Sequence, residues 1–396
     1  MWLRTIFPEK IEQIYSILRE ENTDLWLLMG RETMDICDPG LKLVLPQDIM
    51  GVSAFFFTKA GTSMALVRRQ DVAGLAKHQV FDQVVGYGED FDDLLRETIV
   101  KLDPNRIDIN VDLYDAMTDG LTAGLYLRLL KALEGTPYRD RLQYGKVIQA
   151  VRGRKIQPEI DVMTQCLRYL NECCQRLEKE LLRPGVTEEQ VYDFCQAFMK
   201  EKNLTSSWDN NCCPLVHAGP RAVQAMVHPG NNDLRPGDAF HLSFGAKLNG
   251  YATDFQRSWY LLGEGETQPP EDVQKAFDTI VSTIEYVRAN LRPGMEGREI
   301  DAMARKRMAA AGYTYSRGCG HMVGMSLHDG VVQLSEDNRV LGDLPARCIE
   351  EGNVFTIELF ADTSRGVVAV EDMMVARADG GHFLYKPQTQ LWILKG

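Results

Sequence analysis

The sequence predicts an α+β protein of two domains, the first spanning residues 1–147 and the second residues 148–396. A chain of 396 residues is long enough for two domains that each bury a core of their own. The earlier part mixes strand-like and helix-like segments, and the later part repeats one helix–turn–helix order. The composition, 44% hydrophobic and 25% charged, is typical of ordinary globular proteins.

The first part predicts a mixed α/β domain. Residues 9–22 have the periodicity of an amphipathic helix, and the apolar segment Leu25–Met29 follows as a strand. Two strand-like segments on either side of Lys59-Ala-Gly61 predict a hairpin, Ser53–Thr58 and Ser63–Val67. Further along, the pattern predicts a helix, a strand and a helix at 91–100, 106–111 and 119–133. We find no catalytic cluster here and expect a scaffold or a specificity domain.

The second part contains an internal repeat. The polar segment Lys146–Pro158 is expected to form the linker and the opening of a new element, and a long helix follows at about Pro158–Leu182. Leu-Arg-Pro-Gly occurs at residues 182–185, before a second helix. The same four residues occur at 291–294, before another helix. The tetrapeptide also occurs at Leu234–Gly237 before a strand-like segment, so its letters alone prove little. The shared order of helix, tetrapeptide and helix favours two similar halves.

Charge and cysteine usage exclude several classes of protein. The net charge of −12 argues against a nucleic-acid partner, because phosphate binding requires clustered Lys and Arg. The nine cysteines show no CxxC or Cys/His zinc spacing, which indicates reduced thiols. The N-terminus lacks the apolar region of a signal peptide, and no apolar run approaches the ~18 residues of a membrane span. We expect a cytoplasmic protein without a membrane partner.

Four segments of the second part each offer a ligand for a metal ion. Asp254, His321, Glu358 and Glu371 lie in separate strand-like segments among apolar residues. Burying an unpaired carboxylate is costly, so acids in such surroundings require a cation or another partner. Three carboxylates and one imidazole suit a hard or borderline divalent cation. The sequence therefore predicts a metal site with hydrolytic chemistry.

The motifs that carry these residues resemble those of the pita-bread metallopeptidases, in the branch of prolidase, aminopeptidase P and creatinase. Five of them occur in family order: Arg235-Pro-Gly-Asp238, Gly250-Tyr251 with Asp254 and Arg257, Gly320-His321 with Gly324 and His328, Thr356-Ile-Glu358, and Glu371-Asp372. The resemblance covers essentially the whole chain. It implies an N-terminal creatinase/prolidase-like domain and a C-terminal domain with a curved antiparallel sheet, two pairs of helices and an internal pseudo-twofold axis. It also implies a homodimer.

The resemblance also implies roles for individual residues. Asp254 and Glu371 would bridge two cations, and His321 and Glu358 would complete the ligands of one of them, with Glu358 accepting a proton from the attacking water. His228 and His328 would contact the substrate and stabilise the tetrahedral intermediate. Arg257 would orient the carboxylates from behind, a role that its forked guanidinium suits.

One position departs from the family pattern. Ser243 stands where the family has an aspartate that binds the first cation, and a neutral hydroxyl is a poor substitute. His241 lies two residues earlier, on the same face of a strand, and its imidazole is a candidate for the vacated ligand position. Three outcomes stay open: a rebuilt centre with two cations, a centre with one cation, or a creatinase-like site with none. His217 is a further candidate for the pocket entrance.

The leading hypothesis is a metal-dependent hydrolase of short peptides, with a preference for Xaa-Pro that follows from the resemblance alone. Mn, Fe, Co and Zn all suit such ligands. One alternative is a creatinase-like C–N hydrolase or lyase acting on a small non-peptide molecule, and a second is a non-catalytic relative. Several of the candidates also have an ordinary explanation. Asp254 would pair with Arg257 at the surface, His321 would fill a glycine-rich turn, and His241 would be a histidine of the core.

Overall fold

The computed structural model describes residues 3–395. The chain forms two compact units, Met1–Ile156 and Gln157–Gly396. Among the helices of the described residues, none combines the length and the apolarity that a membrane crossing requires.

The first unit contains a mixed six-stranded sheet in the order β4-β3-β2-β1-β5-β6. Strands β1, β2 and β3 pair antiparallel, and the outer strands join them in parallel. Every residue of β1 is buried, which explains its continuous apolar sequence. The elements are α1 Leu3–Glu20, β1 Leu25–Gly30, α2 Leu41–Val44, β2 Ser53–Thr58, β3 Ser63–Arg68, α3 Val72–Ala76, β4 Gln83–Tyr87, α4 Phe91–Leu102, β5 Ile107–Ile109, α5 Ala123–Ala132, β6 Leu142–Tyr144 and α6 Lys146–Gly153.

Two segments of the first unit can be compared with their predictions from the sequence. The predicted hairpin forms from β2 and β3, and Gly61 adopts the positive φ of +83° that its turn requires. The segment that the sequence suggests as a linker instead forms helix α6 within the first unit. Its side chains Val147, Ile148 and Val151 are fully buried, so apolar packing outweighs the polar character of the segment as a whole.

The second unit begins with two helices and contains a second pair later in the chain. Its elements are α7 Gln157–Glu180, α8 Glu188–Glu201, β7 Thr205–Ser206, β8 Leu215–Ala218, β9 Ala239–Phe244, β10 Ala246–Leu248, β11 Tyr251–Ala252, β12 Phe255–Leu261, α9 Glu271–Asn290, α10 Gly297–Ala310, β13 Gly320–His321, β14 Gln333–Leu334, β15 Val354–Thr363, β16 Gly366–Arg377, β17 Gly380–Phe383 and β18 Trp392–Leu394.

The helix pairs α7–α8 and α9–α10 are built alike. In both, the tetrapeptide Leu-Arg-Pro-Gly ends at a glycine with positive φ, +87° at Gly185 and +89° at Gly294. A capping box then starts the second helix of each pair, at Thr187 in α8 and at Glu296 in α10. The repeat in the sequence therefore corresponds to a repeated pair of helices.

The curved sheet of the second unit is antiparallel along the path β15-β16-β12-β9-β8, with β17 beside β16 and β18 beside β12. Alternate residues of its strands face opposite sides. Ile357, Leu359 and Val370 belong to the apolar core that also contains Phe277 and Ile280 of α9. Glu358 and Glu371 alternate with these residues and face the other side. The predicted fold class, α+β with a curved antiparallel sheet, is confirmed.

Candidate metal centre

One row of side chains crosses the polar face of the curved sheet. Glu358 of β15 is paired with Glu371 of β16, Glu371 with Gln256 of β12, and Gln256 with Ser243 of β9. Residues directly opposite each other on paired strands share a face and lie close together. Strand register therefore places two carboxylates, an amide and a hydroxyl side by side.

Three potential metal ligands converge beside this row. A carboxylate oxygen of Asp254, a ring nitrogen of His321 and a carboxylate oxygen of Glu371 all lie within 4.8 Å of one another. Asp254 immediately precedes β12 and lies two residues before Gln256, so its side chain shares the polar face. All three residues are buried, and Glu371 is only 1% exposed. We call these three residues the ligand cluster.

The ring of His321 is oriented by its neighbours in the chain. Its Nδ1 lies 3.1 Å from the carbonyl oxygen of Met322, so this nitrogen donates a hydrogen bond. Its Nε2 therefore carries a lone pair and lies 3.8 Å from Oδ2 of Asp254. A backbone-bonded imidazole of this kind is typical of histidines that bind a metal ion through the other nitrogen.

Gly320 makes this position of His321 possible. A Cβ atom at Gly320 would lie 2.0 Å from the carbonyl oxygen of Thr356 in β15, which is too close for any other residue. The glycine of the Gly-His motif thus allows the backbone of β13 to approach β15. That approach carries the imidazole to the carboxylates.

The electrostatics of the ligand cluster favour a cation. Burial raises the pKa of Asp254, and the charge of Glu358 raises it further. Burial also raises the pKa of Glu371, and the charges of Asp254 and Glu358 add to the increase. Burial lowers the pKa of His321 to about 4, which leaves the imidazole neutral with a free lone pair. Several electron-pair donors therefore face one another without a positive charge between them.

Two buried carboxylate oxygens of the ligand cluster are a second indication of a cation. Oδ1 of Asp254 and Oε1 of Glu371 are buried, and neither has a hydrogen-bond partner among the described residues. An unsatisfied buried oxygen is costly unless a cation or a donor meets it. Carboxylate oxygens and one imidazole nitrogen are the donors that Mn, Fe, Co and Zn accept. The residues of the cluster therefore fit a divalent cation.

Glu358 lies at the edge of the ligand cluster and is half-buried. Burial raises its pKa, while the positive charge of Arg317 opposes the increase. Glu358 is connected to Glu371 by the amide of Gln256, whose Nε2 donates to Oε2 of Glu358 at 3.2 Å and to Oε2 of Glu371 at 2.9 Å.

The polar face forms the floor of a cavity of about 250 Å³. That volume is a little below the ~300–1,000 Å³ typical of small-ligand sites. Its wall includes His328, an exposed residue whose ring centroid lies 4.3 Å from that of His321. The residues that line the cavity are Trp208, Leu215, His217, Gln224, Ala225, Met226, His241, Ser243, Asp254, Gln256, Arg317, His321, Leu327, His328, Glu358, Phe360, Val367 and Ala369.

His241 and His217 line the cavity but lie outside the ligand cluster. Nε2 of His241 is 2.9 Å from Oε1 of Gln256, and its Nδ1 is 2.9 Å from Nδ1 of His217. The two rings stack with an interplanar angle of 13°. Burial lowers the pKa of His241 to about 3 and also lowers that of His217. Both nitrogens of His241 are engaged by protein groups, so the ring does not reach toward the cluster as a ligand.

His228 is not brought to the ligand cluster. Its Nδ1 lies 2.8 Å from the carbonyl oxygen of Asn211, and its ring packs edge-on against Tyr192. It lines a neighbouring cavity, which shares Leu215, His217 and Ala225 with the cavity over the cluster.

Arg257 lies behind the sheet residues rather than in the cavity. Its guanidinium donates to the carbonyl oxygens of Gln256 and Glu371 at 2.9 and 2.8 Å, and to Oδ1 of Asp372 at 2.7 Å. Burial raises the pKa of Asp372 to about 6, and the charge of Arg257 opposes that increase. Arg257 thus joins β12 to β16 beneath the ligands.

Two residues of the site are absent from the sequence-based prediction. Gln256 was detectable, because it follows Asp254 by two residues and must share its face of the strand. Arg317 lies in an irregular segment before β13, where no period indicates the direction of a side chain. Only the path of the chain brings it to the cavity.

Comparisons with known proteins identify the family to which this chain belongs. Residues 161–378 match the model of metallopeptidase family M24. The chain is 25% identical to the uncharacterised peptidase YqhT of Bacillus subtilis over 285 residues, 71% of this chain and 73% of that one. It is 28% identical to the Xaa-Pro dipeptidase of Lactobacillus delbrueckii over 216 residues, which is about half of each chain, 53%.

The fold has a counterpart among solved structures. The Xaa-Pro dipeptidase from Bacillus anthracis superposes with a TM-score of 0.70 at 20% sequence identity, covering 98% of this chain and all of the other. The predicted resemblance to the pita-bread metallopeptidases is confirmed. Since the matched residues make up more than half of its length, this chain belongs to metallopeptidase family M24.

Proposed function

We propose that this chain hydrolyses short peptides, with Xaa-Pro dipeptides as the preferred class, by means of a divalent cation. The observation that carries the proposal is the ligand cluster of Asp254, His321 and Glu371, of which Asp254 and His321 line the cavity. The Xaa-Pro dipeptidase of Lactobacillus delbrueckii supports the choice of substrate, because it is a relative with that stated activity.

The cluster, together with Glu358, would hold the cation, with Mn, Fe, Co and Zn as candidates. The cation would supply Lewis acidity, which polarises the scissile carbonyl and lowers the pKa of a water molecule. Glu358 is the residue we assign to accept the proton of the attacking water, because it is half-buried at the cavity floor and burial raises its pKa.

His328 and His228 are assigned to the substrate. His328 lies on the wall beside His321, where a ring N–H would donate a hydrogen bond to the oxygen that becomes negative during attack. His228 lines the neighbouring cavity, so it would contact a part of the substrate further from the cation.

Arg317 supports a substrate with a free carboxylate. It is the one Arg or Lys among the residues, all described, that line the cavity over the cluster. A guanidinium binds a carboxylate in a paired geometry, and a dipeptide has its C-terminal carboxylate close to the scissile bond. We therefore infer that Arg317 binds the C-terminus of the peptide and selects short substrates.

The experiment compares dipeptides with their C-terminal amides. Chelated protein is reloaded with Mn, Fe, Co or Zn, and hydrolysis of Xaa-Pro and Xaa-Ala dipeptides is followed by release of the free amino acid. We expect Arg317→Ala to raise KM for a free dipeptide at least about tenfold, and to leave KM for the amide within about twofold, since a hydrogen bond to a charged group contributes roughly 1.5–3 kcal/mol.

Arg339→Ala serves as the matched control, because Arg339 is an exposed arginine that does not line the cavity. Equal effects of Arg317→Ala on the free and amidated peptides would contradict the carboxylate-binding role. Absence of hydrolysis for every peptide and metal, with turnover of a small non-peptide C–N substrate, would replace the peptidase proposal with the creatinase-like alternative. Absence of any turnover would favour the non-catalytic alternative.

We also propose that the chain forms a homodimer in the cytoplasm, as the family resemblance and the reduced cysteines suggest. Light scattering after size-exclusion chromatography tests the dimer: a mass of one chain, 44.7 kDa, would contradict it. Fractionation of cells that express the protein tests its location.

A further inference from the structure

The amide of Gln256 occupies the space between two carboxylates of the site. Its Nε2 lies 2.9 Å from Glu371 and 3.2 Å from Glu358, and each of its two N–H bonds serves one of them. The opposite orientation of the amide would bring Oε1 against two carboxylate oxygens, which repel it. The carboxylates therefore determine the orientation of the amide.

The orientation of the Gln256 amide determines which ring nitrogens of His241 and His217 carry a hydrogen. Oε1 of Gln256 can only accept, so Nε2 of His241 donates to it at 2.9 Å. A neutral His241 then has a lone pair on Nδ1, and this nitrogen accepts from Nδ1 of His217 at 2.9 Å. His217, His241 and Gln256 thus form a chain of donors directed at Glu371 and Glu358.

Among the residues that the structure describes, we find no further ligand for a second cation beside Gln256, on this side of Glu371. Ser243, which is paired with Gln256 across β9 and β12, offers only a neutral hydroxyl. Both nitrogens of His241 are engaged, and the hydrogens of the Gln256 amide would repel a cation. On the other side of Glu371, Asp254 and His321 offer free electron pairs.

We infer that this chain binds one cation rather than two, and that the Gln256 amide, positioned by His241 and His217, takes the place of the second by joining Glu358 to Glu371. Two partial positive charges on the amide hydrogens do part of what a second cation would do for these carboxylates. Gln256 is in this sense a positioning residue. The inference rests on the cation site of the proposed function.

The substitution Gln256→Glu tests it most sharply. It replaces the amide nitrogen with an oxygen at nearly constant size. The new carboxylate would then lie beside those of Glu358 and Glu371, where the Gln256 amide donates a hydrogen bond to each. We expect the wild type to bind one Mn²⁺ per chain and the variant to bind two. Elemental analysis after equilibrium dialysis gives the count, and electron paramagnetic resonance separates an isolated Mn²⁺ from a coupled pair.

The control is Gln268→Glu, which adds the same charge at an exposed loop position and should leave the count at one. Two coupled Mn²⁺ ions in the wild type would overturn the inference even if the variant failed to fold. One ion in a folded Gln256→Glu protein would overturn it as well.

These results are separable from the peptidase proposal. One Mn²⁺ in the wild type without peptide hydrolysis would contradict the function and support the inference. Two Mn²⁺ ions with peptide hydrolysis would support the function and contradict the inference. Absence of bound Mn²⁺ would overturn the cation site on which both depend.

Discussion

Replacing Asp254 with asparagine should stabilise the metal-free protein and abolish its stabilisation by metal. The ligand atoms of Asp254 and Glu371 lie within 4.8 Å of each other, and both residues are buried. Two unit charges at that distance repel by about 3 kcal/mol at an effective dielectric constant of about 20. Asparagine has nearly the same size and removes one of the charges. At pH 8 we expect the free energy of unfolding without metal to rise by about 1–3 kcal/mol.

The sign of the pH dependence follows from the raised pKa values of Asp254 and Glu371. Below their ordinary pKa of about 4, both carboxyls are protonated in the folded and unfolded states. As the pH rises, the unfolded chain loses these protons first, so the metal-free protein loses stability from about pH 4 up through the raised folded pKa. The Asp254→Asn protein has one such group fewer, and its stability should fall less between pH 5 and pH 8.

Bound metal should reverse the order of stability of the wild type and the Asp254→Asn variant. A ligand at 100 times its Kd stabilises the folded state by about 2.7 kcal/mol, and the variant should gain almost none of this. Thermal unfolding with and without Mn²⁺ measures both effects, at roughly 2–4 °C for each kcal/mol in a unit of this size. Asp278→Asn, on the exposed side of α9, is the control and should show neither effect. A metal-free Asp254→Asn protein that is less stable than wild type at pH 8 would refute the reasoning.

Two further predictions concern the residues that hold the ligands in place. Arg257→Leu leaves the buried Asp372 carboxylate without its partner and should lower the free energy of unfolding by about 3–5 kcal/mol in urea, whereas Arg235→Leu, at an exposed ion pair, should change it little. An Arg257→Leu midpoint equal to that of the control would mean that the pair contributes nothing. Gly320→Ala forces β13 away from β15, and we expect a loss of about 1–3 kcal/mol and at least tenfold weaker Mn²⁺ binding by calorimetry. Gly230→Ala, where a Cβ meets nothing within 4 Å, should bind Mn²⁺ normally; unchanged binding by Gly320→Ala would contradict the role of the close approach.

Local patterns in the sequence predict most of the helices and strands. The hairpin of β2 and β3 follows from two apolar segments around a glycine turn, and the helix pairs follow from Leu-Arg-Pro-Gly and the capping residues after it. These features depend on residues a few positions apart, so the sequence shows them directly. The local pattern does not predict helix α6, because the burial of its apolar side chains depends on the elements packed around it.

The sequence by itself determined which residues are costly to bury without a cation: Asp254, Glu358 and Glu371 among apolar neighbours. Only the tertiary structure decided which groups they meet. The pairing of β12 with β16 and β9 places Gln256 between Glu371 and Ser243, and it turns His241 toward the amide instead of the ligand cluster. A shift of the register between β12 and β16 by one residue would send Gln256 and Glu371 to opposite faces, and no local pattern specifies the register of these two strands, which lie more than a hundred residues apart.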